Sequence, residues 1–131
     1  MTGQHRPADH SLGDANTIGG YAAVHARPAA FEGSDGHSYS VELCADTTGD
    51  LARPWGGYLL FLRWRRMGAQ GVEGHLETDF LVRSASEAEA IADVGRLPLS
   101  AVRDQLELLI HARHAGQAPA RRWWDVMREE E

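Results

Sequence analysis

The chain has 131 residues, 43% hydrophobic and 24% charged, with a formal net charge of −6. A chain this long can bury a core without a disulfide or metal staple, and its length corresponds to one domain. The acidic balance disfavours nonspecific binding to nucleic acid or anionic membrane, since neutralising phosphates takes a basic surface. The lone cysteine, Cys44, cannot form an intrachain disulfide, no apolar run follows Met1, and no stretch is long enough for a membrane span. The expectation is therefore a cytoplasmic protein without membrane partners.

Residues 1–18 are polar and aperiodic and read as a flexible N-terminal arm. Tyr21 to Phe31 reads as a weak, alanine-rich strand, placed at an edge because Pro28 lacks an N–H donor. Gly33-Ser34-Asp35-Gly36 is a tight turn. From Ser38 to Asp46 the pattern alternates, with Tyr39, Val41, Leu43 and Ala45 on one face and Ser40, Glu42, Cys44 and Asp46 on the other. After a loop over 47–54, Trp55 to Arg66 is the most hydrophobic strand, and Gly56-Gly57 reads as a turn or bulge.

Met67 to Gly71 turns the chain, and Val72 to Val82 forms the fourth strand. Centring that hairpin near Ala69 sets Arg65 opposite Glu73, Arg63 opposite His75 and Phe61 opposite Glu77, so that opposite charges meet across the strands. This register buries Tyr58, Leu60, Leu62 and Trp64 with Gly74, Leu76, Thr78 and Phe80.

Ser86 with Glu89 forms a capping box that opens a helix, and Gly95 closes it. After Pro98, Val102, Leu106, Leu109 and Ile110 repeat with the helical period, which favours a helix over a final strand for 99–114. The expected fold is α+β: a four-stranded antiparallel meander over 21–82, then helices at about 86–95 and 99–114 packed on one sheet face. The domain covers 19–116, and 117–131 is a Trp-containing tail.

Three constellations are candidates for function. On the polar sheet face, His75, Glu77 and Asp79 alternate and provide the groups of a general acid–base pair. His25, Arg27, Glu42 and Arg63 are candidate contacts for a small anionic ligand. The same alternation also describes an ordinary wetted face. The spacings match no metal-binding motif, no dinucleotide or phosphate loop and no nucleophile elbow, so no metal or cofactor is expected. The strand 58–66 mixes aromatics with Arg as a nucleobase platform would, but the acids opposite it offset that charge. In the tail, Trp123, Trp124 and Met127 are candidate interface residues, since Trp anchors protein contacts. The leading expectation is a noncatalytic binding or interaction module acting as a homodimer, with a protein partner or small anionic ligand. A small acid–base enzyme is the alternative.

Overall fold

Why the sheet forms is clearest in its two longest strands. Ser38–Thr47 (β2) and Trp55–Trp64 (β3) pair antiparallel without interruption, from Ser38↔Trp64 to Thr47↔Trp55. The computed structural model that reveals this describes residues 7–65 and 71–114. On the outer side of β2, Ala30–Glu32 (β1) pairs only with Ser38–Ser40. The backbone edge of β2 from Leu43 onward therefore has no strand beside it among the described residues.

On the other side of β3 the partner is split. Val72–Glu77 (β4) pairs with the end of β3, and Val82–Ser84 (β5) pairs with Trp55–Gly57. The single strand expected over Val72–Val82 is thus two short ones. Thr78 causes the break: its hydroxyl accepts the Leu59 N–H at 3.1 Å and donates to the Asp79 carbonyl at 2.7 Å. The chain then swings out through Phe80 and returns when the Leu81 N–H reaches the Gly57 carbonyl. The meander β1-β2-β3-β4 is as expected, and β5 is an addition to it.

The expected strand over Tyr21–Phe31 is instead helix up to His25, and only its last two residues are strand. Ile18–His25 (α1) is capped by Thr17, whose Oγ1 accepts the Gly20 N–H at 3.0 Å. Gly19 and Gly20 offset the preference of its two alanines, so the helix rests on the Thr17 cap and on burial of Ile18 and Val24. Ala26, at φ 55° in the left-handed region, ends the helix, and Pro28 keeps the chain extended into β1. Before α1 there is a 3-10 turn at His10–Leu12, and Ile18 is buried in the core.

The last two helices lie where expected. In Glu87–Gly95 (α2) the Ser86 Oγ accepts the Glu89 N–H at 3.1 Å; the Glu89 carboxylate answers at the Ala85 N–H, one residue before the cap. In Leu99–His114 (α3) the buried residues are Val102, Leu106, Leu109 and Ile110. With α1, these helices cover the sheet face carrying Tyr39, Val41, Leu59, Phe61 and Leu76.

That face differs from expectation in β3. Phe61 pairs with Leu76, Leu62 with His75 and Leu60 with Glu77, one residue off the expected register. Leu59 and Phe61 are fully buried, whereas Leu60 and Leu62 lie on the uncovered face and Trp64 is 39% exposed. A slip of one residue exchanges the two faces of a strand. Its cause is a bulge: Arg63 pairs with Gly74 but Trp64 pairs with Val72, so Glu73 has no partner across the ladder.

Gly56 and Gly57, expected in a turn, lie within β3 and permit close approach on opposite faces. A Cβ on Gly57 would come within 2.7 Å of the Ala90 carbonyl of α2, and one on Gly56 would meet the Phe80 ring.

Candidate functional site

The antiparallel ladder arranges the uncovered face into cross-strand rows. Ser38, Trp64 and Val72 form the first row, and Ser40, Leu62 and His75 the second. Glu42, Leu60 and Glu77 follow, then Cys44 and Tyr58, and then Asp46, Gly56 and Arg83. Down the centre runs an apolar stripe: Trp64, Leu62, Leu60, Tyr58 and the Phe80 ring seated over Gly56. The Tyr58 and Phe80 rings meet edge to face at 6.1 Å, and the Arg83 guanidinium lies 5.8 Å from the Phe80 centroid. The Trp64 indole N–H donates to the Ser40 hydroxyl at 2.9 Å. Trp64 and Val72, paired at one end, are 39% and 41% exposed.

This face carries some of the expected site residues and separates others. His75 and Glu77 lie on it, beside Leu62 and Leu60, and Glu42 flanks Leu60 from the other side. Asp79 sits past the end of β4, where its carboxylate accepts the Phe80 N–H at 2.9 Å. Arg63 faces the helices instead, 3.4 Å from Glu73. His25 belongs to α1, its ring 4.3 Å from that of Tyr21, and the Arg27 guanidinium lies 5.4 Å from the Tyr21 centroid. A cavity of about 340 Å³ between α1 and β2 is lined by Arg27 and Glu42 with Ile18, Ala22, Val41 and Leu43. Thus Arg27 and Glu42 line one cavity, while Glu42 also shares a cross-strand row with Glu77, next to that of His75. Trp123, Trp124 and Met127 lie outside the described residues. Among the described residues no three His, Cys, Asp or Glu side chains gather closely enough to hold a metal ion.

A second polar group lies under the end of α3 and was not anticipated. The buried Tyr39 hydroxyl donates to Asp35 at 2.6 Å, and the Asp35 carboxylate also accepts the His37 N–H. Glu73, turned inward by the bulge, stands 3.4 Å from both His37 Nε2 and Arg63 Nε. Burial pushes Tyr39 up to about 12, reinforced by the neighbouring Asp35 and partly offset by Arg63. For Asp35, burial acts to raise the pKa, but the Tyr39 hydroxyl and the amide and ring of His37 outweigh it, and the carboxyl falls below its ordinary value. Among the described residues, His37 Nδ1 and Arg63 Nε are buried without a hydrogen-bond partner. The signal in the sequence was Tyr39 itself: a phenol in a core row must find a partner, and an acid stands four residues earlier.

None of the protein-family models, curated proteins or solved structures compared with this chain matches it. No helix among the described residues is long and apolar enough to cross a membrane.

Proposed function

We propose that this chain is a noncatalytic interaction module of the cytoplasm that works as a homodimer, with the uncovered sheet face as its contact surface. The observation that carries this reading is the continuous apolar stripe Trp64, Leu62, Leu60, Tyr58 and Phe80 on the face opposite the helices. Stripes of this kind, rimmed by polar side chains such as Glu42, His75 and Glu77, mark contact sites on small proteins. A two-fold pairing sets the same patch on both copies and suits a flat sheet face. The acid–base alternative gains no comparable support: Asp79 stands apart from His75 and Glu77, and Arg63 points to the other face.

Light scattering at two protein concentrations a hundredfold apart, on the full chain and on the chain ending at Gln117, tests the reading. The expected result is concentration-dependent growth to twice the monomer mass, abolished by Leu62→Asp. Monomers in every form and at both concentrations would refute it.

A further inference from the structure

We infer that the open edge of β2 takes the free carboxyl end of a partner polypeptide. The end adds as a short antiparallel strand in line with β1, seats an apolar last side chain beside α1 and gives its carboxylate to Arg27. This site lies at the margin of the sheet, apart from the uncovered face, and does not depend on the homodimer.

The backbone fixes which groups are on offer. The Val41 N–H reaches outward to the Ala29 carbonyl, just before β1 begins. On β3, Leu59 and Gly57 turn their carbonyls to the far side, to the N–H groups of Thr78 and Leu81. Their cross-strand partners Leu43 and Ala45 therefore turn their own N–H and carbonyl groups away from β3, out into the empty lane. Among the described residues nothing hydrogen-bonds to these groups. The next outward N–H, that of Thr47, is closed off by the Asp46 carboxylate at 2.8 Å. The lane is thus bounded by Ala29 at one end and Asp46 at the other.

A cavity of about 340 Å³ opens where the lane meets Ala29. Ile18 and Ala22 of α1 wall one side, Val41 and Leu43 the other, and Pro28 and Ala29 close the end. Glu42 borders it from the strand, whose alternation sends the Glu42 side chain to the other face. Arg27 completes the lining. It is exposed, its guanidinium lies 5.4 Å from the Tyr21 centroid, and no carboxylate pairs with it among the described residues.

Direction and charge then select the occupant. The chain leading into β1 fills the lane as far as Ala29, so an added strand stops there, and continuing the pairing of β1 sets its final residue opposite Leu43. Run antiparallel, that residue is a carboxyl terminus. One carboxylate oxygen accepts the Leu43 N–H as the Ala29 carbonyl accepts that of Val41, and the other meets Arg27, whose planar fork suits a carboxylate. The last side chain shares the face of Leu43 and enters the apolar cavity. A parallel strand instead brings an ammonium group to the arginine, which repels it. Three residues before its end the antiparallel strand passes Asp46, where a basic side chain is favoured. Main-chain bonds then hold any such terminus, and the cavity and Arg27 choose among them.

The probes are twenty hexapeptides, Gly-Ser-Lys-Ala-Ser-Xaa, each with a fluorophore at the amino end and a different last residue, read by fluorescence anisotropy with the full chain. The expected result is saturable binding below about 1 mM for aliphatic last residues. It weakens about tenfold or more when the same peptide ends in a carboxamide, and equally in Arg27→Gln at unchanged melting temperature. Amide hydrogen exchange locates the bound peptide: the Leu43 and Ala45 N–H groups are expected to slow. Binding by none of the twenty overturns the proposal, as does equal affinity for acid and carboxamide or an unchanged affinity in Arg27→Gln. Slowing confined to other amides overturns it too. Slowing at Leu43 and Ala45 that grows with protein concentration in the absence of peptide assigns the edge to a second copy and likewise overturns it. The homodimer through the uncovered face is judged apart from these outcomes, by light scattering.

Discussion

The two faces of β3 carry almost the same chemistry and have different fates. Leu59 and Phe61 are sealed beneath the helices, whereas Leu60 and Leu62, on neighbouring positions of the same strand, look out on the other side. Hydrophobicity along the strand cannot distinguish them, because both sets are apolar. What separates them is the partner strand: β2 offers Tyr39, Val41 and Leu43 to one face and Ser40, Glu42 and Cys44 to the other. A strand that is apolar on both sides belongs in the middle of a sheet with both faces covered, yet here the described helices cover one.

The sharpest way to test this comparison is to remove one large side chain from the sealed face. Phe61→Ala should cost about 3–5 kcal/mol in urea unfolding, since the ring is fully buried and the cavity cannot collapse. Gly57→Ala, which pushes a methyl group into the Ala90 carbonyl, should cost about 1–3 kcal/mol by the same measurement. Tyr39→Phe deletes the bond to Asp35 without changing shape and should cost about 1–2 kcal/mol.

That pair also sets pH limits. Asp35 has a lowered pKa when folded, so its contribution is present above the unfolded value and lost as pH falls through the folded one. Tyr39 is raised to about 12, so its contribution is present below about pH 10 and lost as pH rises from there towards 12. Asp35→Asn should flatten the acid limb of a stability–pH curve, and an unaltered limb would show that the bond contributes nothing. The smallest effect is expected on the open face: Leu62→Asp should change stability by about 1 kcal/mol or less while abolishing association. A loss comparable with that of Phe61→Ala would mean the two faces are equally essential to folding, contrary to the comparison.

Much of the architecture was legible in the sequence for identifiable reasons. The alternation in 38–46 gave the correct faces of β2, and the spacing of Val102, Leu106, Leu109 and Ile110 gave the buried side of α3. Ser86 and Glu89 announced α2. Sequence reasoning failed where a decision depended on contacts distant in the chain. Charge matching argued for Arg65 opposite Glu73, but a bulge at Glu73 shifts the ladder and makes Glu73 the partner of Arg63 from within the covered side. The helix α1 was hidden because its apolar residues do not form a clean stripe, although Thr17 was a readable cap. Of the candidate site, Glu42, His75 and Glu77 were correctly placed on one face, but its apolar centre was assigned to the core by the same slip.

The short reach of β1 has one more consequence. Beyond Val41, whose N–H still finds the Ala29 carbonyl, β2 presents its backbone sideways with no neighbouring strand among the described residues. Such a margin is a template on which other chains can polymerise laterally. Glu42 and Asp46 stand along it, and their like charges set neighbouring copies apart at neutral pH. Replacing them by Gln and Asn removes this guard, so filament growth is to be sought first in concentrated solutions of Glu42→Gln/Asp46→Asn.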